Sequence, residues 1–301
     1  MYIQLTNVSK KIKSNDILKD INLRMESGKI YGFKGKNGCG KTMLMRAISG
    51  LIKVKGTVDI NGQIIGKDIM FPPSIGLLIE NPSFINNYTA FENLKTLASI
   101  RRRIDDNRIR ETLTEIGLDP DDKRTFHKFS LGMKQRLGIA AAIMENPDII
   151  ILDEPINGLD PQGIAEVRDT IQRLQKERNM TICISSHILE ELSKIATDYG
   201  IIHNGSLLQE LTREELMRRC SERMELTLAD PKLAIPVLDA MGFTNYQVTD
   251  KEHIHIFERL NESAALNMEL AKAGIPVKGL SITSEELETY FLNLTGGASH
   301  A

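Results

Sequence analysis

The sequence contains no tryptophan, and only three of its 301 residues are cysteines. Cys39, Cys183 and Cys220 are scattered and odd in number, so they indicate neither a disulfide framework nor a metal-binding cluster, and a reducing compartment is expected. The formal net charge of −2 gives no electrostatic reason to expect nucleic acid as a partner. These absences argue against a disulfide-stapled secreted domain and a cysteine-based zinc module.

Long hydrophobic runs are also absent. No apolar stretch approaches the roughly 18–20 residues that a membrane-spanning helix needs, and the longest candidates, Ile139–Met144 and Ile149–Leu152, are typical of a protein core. The N-terminus lacks a basic head followed by a long apolar segment, so no signal peptide is expected. We therefore expect a soluble chain, or one that reaches a membrane only through a partner.

Apolar strands alternate with helices through much of the first two thirds of the chain. Lys29–Lys34, Ile149–Leu152 and Thr181–Ser185 have the composition of buried strands, while Thr42–Leu51 and Pro161–Lys176 have helical spacing. Continuous apolar strands separated by helices predict an α/β fold, with a parallel sheet covered on both faces. Short alternating strands precede this pattern, and a mostly helical segment at about 85–145 interrupts it.

The composition changes after about Arg219. The remaining pattern is β-α-β-β-α-β, which predicts a small C-terminal α+β domain of ferredoxin-like type at residues 220–301, after a first domain at residues 1–219. A last helix, Ser284–Leu294, is expected to begin with Ser284 as its N-cap. His253 and His255 share one face of a predicted strand, where surface or packing roles are favoured over metal binding.

A glycine-rich turn follows the first buried strand and opens a helix. It fits the pattern G-x-x-x-x-G-K-[ST] at every defined position, with the residues Gly35, Lys36, Asn37, Gly38, Cys39, Gly40, Lys41 and Thr42. The glycines let successive backbone N–H groups face one point, and the helix adds its positive end. Lys41 is then expected to reach the β- and γ-phosphates of a nucleotide, and Thr42 to bind Mg²⁺. The alternative, an ordinary glycine-rich turn, does not account for the strand and helix on either side.

Cys39 within this turn allows two interpretations. It is either a thiol with a lowered pKa at the helix start or, as we prefer, a small residue that fills space.

Two carboxylates end the buried strand Ile149–Leu152. Strand alternation points Asp153 and Glu154 in opposite directions, so we expect them to have different functions. Asp153 is placed to hold Mg²⁺, and Glu154 to polarise or deprotonate an attacking water. Acidic residues are also common at solvated strand ends. The catalytic interpretation is favoured by the glycine-rich turn at residues 35–42, which we call the phosphate loop.

A third motif, at residues 129–137, reads Phe-Ser-Leu-Gly-Met-Lys-Gln-Arg-Leu and closely resembles the signature of ABC ATPases. Ser130 is expected to cap a helix whose first amides, with Gly132, face outward. An ordinary capped helix is the alternative for this segment taken alone. The resemblance implies that Ser130 and Gly132 contact the γ-phosphate of ATP held by a second copy. It also matches Asp160 to the loop that crosses between protomers, and His187 to the histidine that contacts the γ-phosphate.

The sequence departs from the ABC pattern at two positions. Glu80 stands where the family usually has a glutamine that contacts Mg²⁺ and the attacking water, so both a catalytic and a metal role are carried over to it. This variant resembles the bacitracin-resistance and lantibiotic self-protection exporters. Ile12 occupies the position of the aromatic residue that usually stacks on adenine, so apolar packing would replace stacking.

The resemblance covers residues 1 to about 220. It implies a P-loop NTPase (RecA-like) core with an antiparallel β subdomain and a helical insert. It further implies an ATP-hydrolysing transporter subunit that uses ATP and Mg²⁺, forms a head-to-tail homodimer and lies on the cytoplasmic face of the membrane, bound to separate permease subunits. No nucleic-acid partner is expected.

Two alternatives remain. One is a soluble ABC ATPase acting on ribosomes or DNA, and the other is a nucleotide-binding regulator without turnover.

Overall fold

A computed structural model describes residues 2–283 and 286–296. The chain divides into two units, Met1–Arg213 and Glu214–Ala301. The sequence places the boundary six residues later, at 219 instead of 213. The difference arises from a helix at this point, in which Arg219 donates a hydrogen bond to the Tyr290 hydroxyl of the second unit.

The first unit contains ten strands and six helices among its described residues. The strands are β1 (Tyr2–Ile12), β2 (Asn15–Glu26), β3 (Ile30–Lys34), β4 (Lys55–Ile60), β5 (Gln63–Ile64), β6 (Ile75–Leu78), β7 (Ile149–Leu152), β8 (Thr181–Ser186), β9 (Asp198–His203) and β10 (Ser206–Thr212). The helices are α1 (Lys41–Ile48), α2 (Ala90–Arg101), α3 (Asp106–Glu115), α4 (Leu131–Ile143), α5 (Pro161–Arg178) and α6 (Leu189–Ile195).

Six of these strands form the central sheet, in the order β10-β9-β3-β8-β7-β6. All neighbours from β9 to β6 pair in parallel, and only β10 is antiparallel. Every residue of β3, β7 and β8 is buried, as expected for central strands covered on both faces. The carboxyl ends of these three strands therefore meet at one edge, where an open α/β sheet binds its ligands.

A second, antiparallel sheet has the order β2-β1-β4-β5. Its core side chains, including Ile3, Leu5 and Ile21, belong to the same cluster as Leu44 and Ile151 of the central layer. The sequence predicts only short strands at residues 3–5 and 21–25. The strands are longer because register shifts between β1 and β2 interrupt the alternation on which that prediction depends.

Helices α2, α3 and α4 occupy the segment that the sequence assigns to a helical insert. Thr89 begins α2 with a capping box completed by Glu92, Asp105 caps α3, and Ser130 caps α4. Each side-chain oxygen accepts a hydrogen bond from an otherwise unpaired amide of the first turn. Local sequence therefore sets where each of these helices begins.

The hairpin of β9 and β10 was missed by the sequence analysis. Its turn is Asn204-Gly205, and both residues have positive φ, 47° and 83°. An Asn-Gly pair between two apolar runs is a recognised hairpin signal, so the information was present.

The second unit contains four strands and four helices among its described residues. These are α7 (Arg213–Cys220), β11 (Arg223–Leu228), α8 (Ile235–Ala240), β12 (Tyr246–Val248), β13 (His253–Ile256), α9 (Ser263–Lys272), β14 (Val277–Thr283) and α10 (Leu287–Leu294). Its antiparallel sheet has the order β12-β13-β11-β14. The core lies between one face of this sheet and helices α8 and α9. The last helix begins at Leu287 with Glu286 as its N-cap, later than the predicted start, and Ser284 itself lies outside the described residues.

Within the described parts of the chain, none of the helices combines the length and the apolar composition that crossing a bilayer requires.

Candidate nucleotide site

The glycine-rich turn connects β3 to α1. Gly38 and Gly40 have φ of 78° and 114°, a region that side chains disfavour, and Gly40 is the N-cap of α1. Gly35 is required for a different reason, because a Cβ there would lie 2.5 Å from the Ile202 carbonyl oxygen. The Gly205 amide also donates to the Cys39 carbonyl at 2.9 Å. The turn is thus fixed by backbone contacts, and Asn37 lies within it.

Lys41 is almost fully buried at the start of α1, with 5% of its surface exposed. Its ammonium group donates to the Gly35 carbonyl at 2.6 Å and lies 3.2 Å from Glu154 Oε1. A buried ammonium requires such partners because it has lost its hydration. Any anion that binds Lys41 must therefore compete with a carbonyl and a carboxylate.

Asp153 is held by two hydroxyl groups. Thr42 Oγ1 donates to Asp153 Oδ2 at 2.6 Å, and Ser185 Oγ donates to Asp153 Oδ1 at 2.5 Å. Ser185 Oγ also accepts a hydrogen bond from the Glu154 amide at 2.8 Å. Ser185 is not predicted by the sequence, although its position at the carboxyl end of β8, next to β7, could have suggested it.

Glu154 lies between two groups that can bear a positive charge. Oε2 is 2.8 Å from His187 Nδ1, while the buried Oε1 has no hydrogen-bond donor and only the Lys41 ammonium beside it. The residue adopts a left-handed conformation with φ 49°. Lys34 Nζ donates to the His187 carbonyl. The side chains of Asp153 and Glu154 therefore contact different groups, although both residues follow the end of β7 and Glu154 is not in a strand conformation.

Glu80 lies apart from this cluster. Its Oε1 accepts a hydrogen bond from Arg46 Nη2 at 2.6 Å, and no hydrogen bond or ion pair joins it to Thr42 or Asp153. Its backbone is left-handed, with φ 64°. Arg46 was missed by the sequence analysis, but it lies one helical turn after Thr42 on α1, so the i, i+4 spacing could have indicated it.

The residues of the signature motif form a separate cleft. Ser130, Gly132, Gly158, Asp160 and Glu166 are among the residues that line it. Ser130 Oγ accepts a hydrogen bond from the Met133 amide, and Asp160 Oδ1 accepts one from the Gly163 amide at 3.0 Å. Asp160 is therefore the N-cap of α5 in this chain, a role that the sequence analysis did not assign to it.

Gly132 stands in open space within this cleft. The nearest neighbouring atom to an added Cβ would be Leu159 Cδ2, at 3.9 Å. Nothing within the single chain therefore requires a glycine at this position.

Ile12 ends β1 with 44% of its surface exposed. A cleft beside the phosphate loop is lined by polar residues and Ile17, and by Gly38 and Cys39, but neither Ile12 nor any aromatic residue is among them. Burial raises the pKa of the Cys39 thiol, which contradicts the lowered pKa that its position at a helix start suggests. Cys39 therefore fits the interpretation as a small packing residue.

Comparisons with known proteins identify similar sequences. The family model described as ABC transporter matches residues 18–157. The bacitracin transport ATP-binding protein BcrA of Bacillus licheniformis is 40% identical over 99% of this chain and 98% of its own length. The lantibiotic transport ATP-binding protein SrtF of Streptococcus pyogenes is 38% identical over 69% of this chain and 90% of its own length.

A solved structure provides a comparison of the fold. The dimeric, post-hydrolysis ATP-binding cassette MJ0796, bound to ADP and Pi, aligns with a TM-score of 0.63 and 23% identity. The alignment covers 70% of this chain and 98% of that one. At this identity, the likeness establishes a shared fold.

Proposed function

Since this chain belongs to the ABC transporter family as an ATP-binding and ATP-hydrolysing subunit, we propose that it powers the export of peptide antibiotics or other amphiphiles. The supporting observation is the full-length similarity to bacitracin transport ATP-binding proteins. A soluble ATPase acting on ribosomes or DNA is not favoured, because these relatives match the whole chain and are transport proteins by name.

Antibiotic susceptibility tests the proposed cargo. We expect that producing this chain in a sensitive host, together with the membrane proteins encoded beside it, raises the inhibitory concentration of bacitracin or of a lantibiotic. Glu154→Gln should abolish the protection at equal protein level, because export depends on turnover. Unchanged susceptibility to both peptide classes, with normal ATPase activity of the purified complex, would contradict peptide export.

ATP binding would use the phosphate loop. The backbone amides of residues 35–42 and the N-terminal end of α1 would hold the phosphates, and Lys41 would exchange Glu154 and the Gly35 carbonyl for phosphate oxygens. Ile12, at the end of β1, would provide only apolar contact to the adenine base.

Mg²⁺ would be held by the Thr42 hydroxyl and the Asp153 carboxylate. Oxygen ligands of this kind suit Mg²⁺, which usually takes one or two carboxylates plus substrate phosphates. ATP and water would supply the remaining ligands. The ion would neutralise charge on the phosphates.

Hydrolysis would depend on Glu154 as general base. Its carboxylate would take a proton from the attacking water as the water's oxygen bonds to the γ-phosphorus, while the bond from that phosphorus to the β–γ bridging oxygen breaks and ADP leaves with the electron pair. His187, 2.8 Å from Glu154, would orient this carboxylate and contact the γ-phosphate. Lys41, released from Glu154 by ATP, would leave Oε1 available to the water.

A head-to-tail homodimer would complete each site. Ser130 and Gly132 line a cleft that includes no residue of the phosphate loop of the same chain. In a closed dimer this cleft would cover the γ-phosphate bound by the partner. Asp160 would lie near the place where its loop crosses to the other protomer. Separate permease subunits would hold the dimer at the cytoplasmic face of the membrane.

Residues 220–301 would form a ferredoxin-like domain. The order β-α-β-β-α-β and the antiparallel arrangement β12-β13-β11-β14 support this proposal.

A further prediction about catalysis follows from the Glu80–Arg46 pair. If Glu80 acts near the phosphates, Arg46 neutralises a charge that would otherwise repel ATP. We expect Arg46→Met to raise the KM for ATP about two- to fivefold, the range for an exposed pair worth roughly 0.4–1 kcal/mol. In a Glu80→Gln background the same change should have almost no effect, since the charge is gone.

Steady-state ATPase assays on the four proteins of this double-mutant cycle measure the coupling. Arg110→Met, which removes another exposed arginine paired with a carboxylate, Asp121, serves as the matched control. Equal effects of Arg46→Met in both backgrounds would show that the pair is only structural.

A further inference from the structure

A pocket in the second unit, which we call the arginine pocket, has a volume of about 330 Å³. Its lining includes Arg218, Arg219, Arg223, His255, Phe257 and Tyr290. This volume is within the range of small-molecule sites, and the combination of cations with aromatic rings is typical of sites for organic anions.

The floor of this pocket is one face of the sheet, and strand alternation determines which residues lie on it. Met224 and Leu226 of β11, and Ile254 and Ile256 of β13, are fully buried in the core of the second unit. The residues between them therefore face the opposite side of the sheet, where Glu225 pairs across the strands with His255. The same face of the sheet also includes Arg223, at the start of β11, and Phe257, directly after the end of β13.

Two of the three arginines, Arg218 and Arg223, have no acidic partner among the described residues. Arg218 and Arg223 form no ion pair with any carboxylate of the described residues. Glu225, on the same face, lies 3.7 Å from His255 instead. Arg219 donates to the neutral hydroxyl of Tyr290 at 2.9 Å. The guanidinium groups of Arg218 and Arg223 therefore carry positive charge that no carboxylate of the described residues balances by an ion pair.

Arg223 also carries an unsatisfied donor. Its Nη1 donates to the Arg219 carbonyl at 3.2 Å, but its Nε is buried without a hydrogen-bond acceptor. A buried N–H group normally has a partner, and an orphaned one at a cavity wall requires an explanation. Because Arg223 lines the pocket, an acceptor bound there gives its guanidinium group a further partner.

We propose that the arginine pocket binds a small organic oxyanion, through a phosphate or carboxylate group. The guanidinium groups of Arg218 and Arg223 hold the oxyanion by charge-assisted hydrogen bonds, for which the planar guanidinium is suited. The organic part of the ligand packs against the rings of Phe257 and Tyr290. The second unit is therefore a ligand-binding unit, with a pocket lined by its own residues.

The lack of tryptophan provides a direct assay. Phe257→Trp gives the full-length protein one tryptophan, located in the pocket wall. We expect its fluorescence to change saturably on titration with at least one of inorganic phosphate, AMP and citrate. Phosphate and AMP represent phosphate groups and citrate represents carboxylates, so the responding anion identifies the chemistry. The absence of a saturable response to all three would overturn the proposal.

Substitutions in the reporter protein locate the binding. Arg223→Met and, separately, the exposed Arg218→Met should each weaken binding by about tenfold or more. Lys232→Met removes one positive charge of the same unit outside the pocket and should leave binding unchanged. Equal affinities in all of these proteins, or loss of the response in Lys41→Met, would show that the signal arises elsewhere. Circular dichroism and thermal unfolding confirm that each protein is folded.

Discussion

Glu154→Gln is expected to slow ATP hydrolysis by about 10²–10⁴-fold, the usual contribution of a general base, while ATP still binds. Glutamine keeps the size of the side chain but cannot accept a proton from water at neutral pH. The substitution also removes the carboxylate that lies 3.2 Å from the Lys41 ammonium. Lys41 then has one fewer competitor for phosphate, so ATP should bind at least as tightly as to the unmodified protein.

Phosphate release and gel filtration measure the two consequences of this substitution. The purified Glu154→Gln protein should elute as a dimer in the presence of ATP and as a monomer without it, because the closed state no longer turns over. Glu111→Gln changes an exposed carboxylate of α3 and should behave like the unmodified protein. Normal hydrolysis by Glu154→Gln would show that another group is the base.

Two inactive proteins are expected to regain activity when mixed. Lys41→Met removes the buried ammonium of the phosphate loop, and Gly132→Arg fills the cleft of the signature motif. Each substitution alone should reduce turnover by about 10²–10³-fold, as expected when a charge-stabilising contact is lost. In a head-to-tail dimer of the two proteins, one site pairs the intact loop of one protomer with the intact cleft of its partner.

The recovered activity has a calculable size. At equal concentrations about half of the dimers are mixed, and each has one intact site of two, so roughly a quarter of the unmodified activity should return. If the loop and the cleft of the same chain formed the site, mixing would restore nothing. The value of a quarter applies when the two sites of a dimer work independently. Any return of activity distinguishes a site shared between two chains from a site formed within one chain.

Gly132→Arg suits this experiment because the fold tolerates a side chain there. An added Cβ would meet no neighbouring atom closer than 3.9 Å, so the arginine can extend into the cleft without disturbing the monomer. Thr114→Arg adds the same residue at an exposed position of α3 and should retain activity. Thermal unfolding of each single variant separates loss of the site from loss of the fold.

Much of the first unit could be predicted from local sequence. The strands β3, β7 and β8 were expected, because buried strands in a parallel sheet are continuous apolar runs. A capping residue fixes the start of a helix through contacts within one turn. Such residues precede the helical periodicity at Thr89, Asp105 and Ser130. The ends of β1 and β2 were less predictable, since bulges there break the two-residue period.

The sequence by itself determined the fold class, the phosphate loop and the family, because each depends on residues that are close along the chain. Only the tertiary structure decided which side chains meet: Ser185 with Asp153, His187 with Glu154, and Arg46 with Glu80. These partners are more than thirty residues apart, and the strand order β3-β8-β7 that joins most of them differs from their order in the chain. Local patterns encode secondary structure and short motifs, whereas the convergence of distant strand ends depends on how the layers pack.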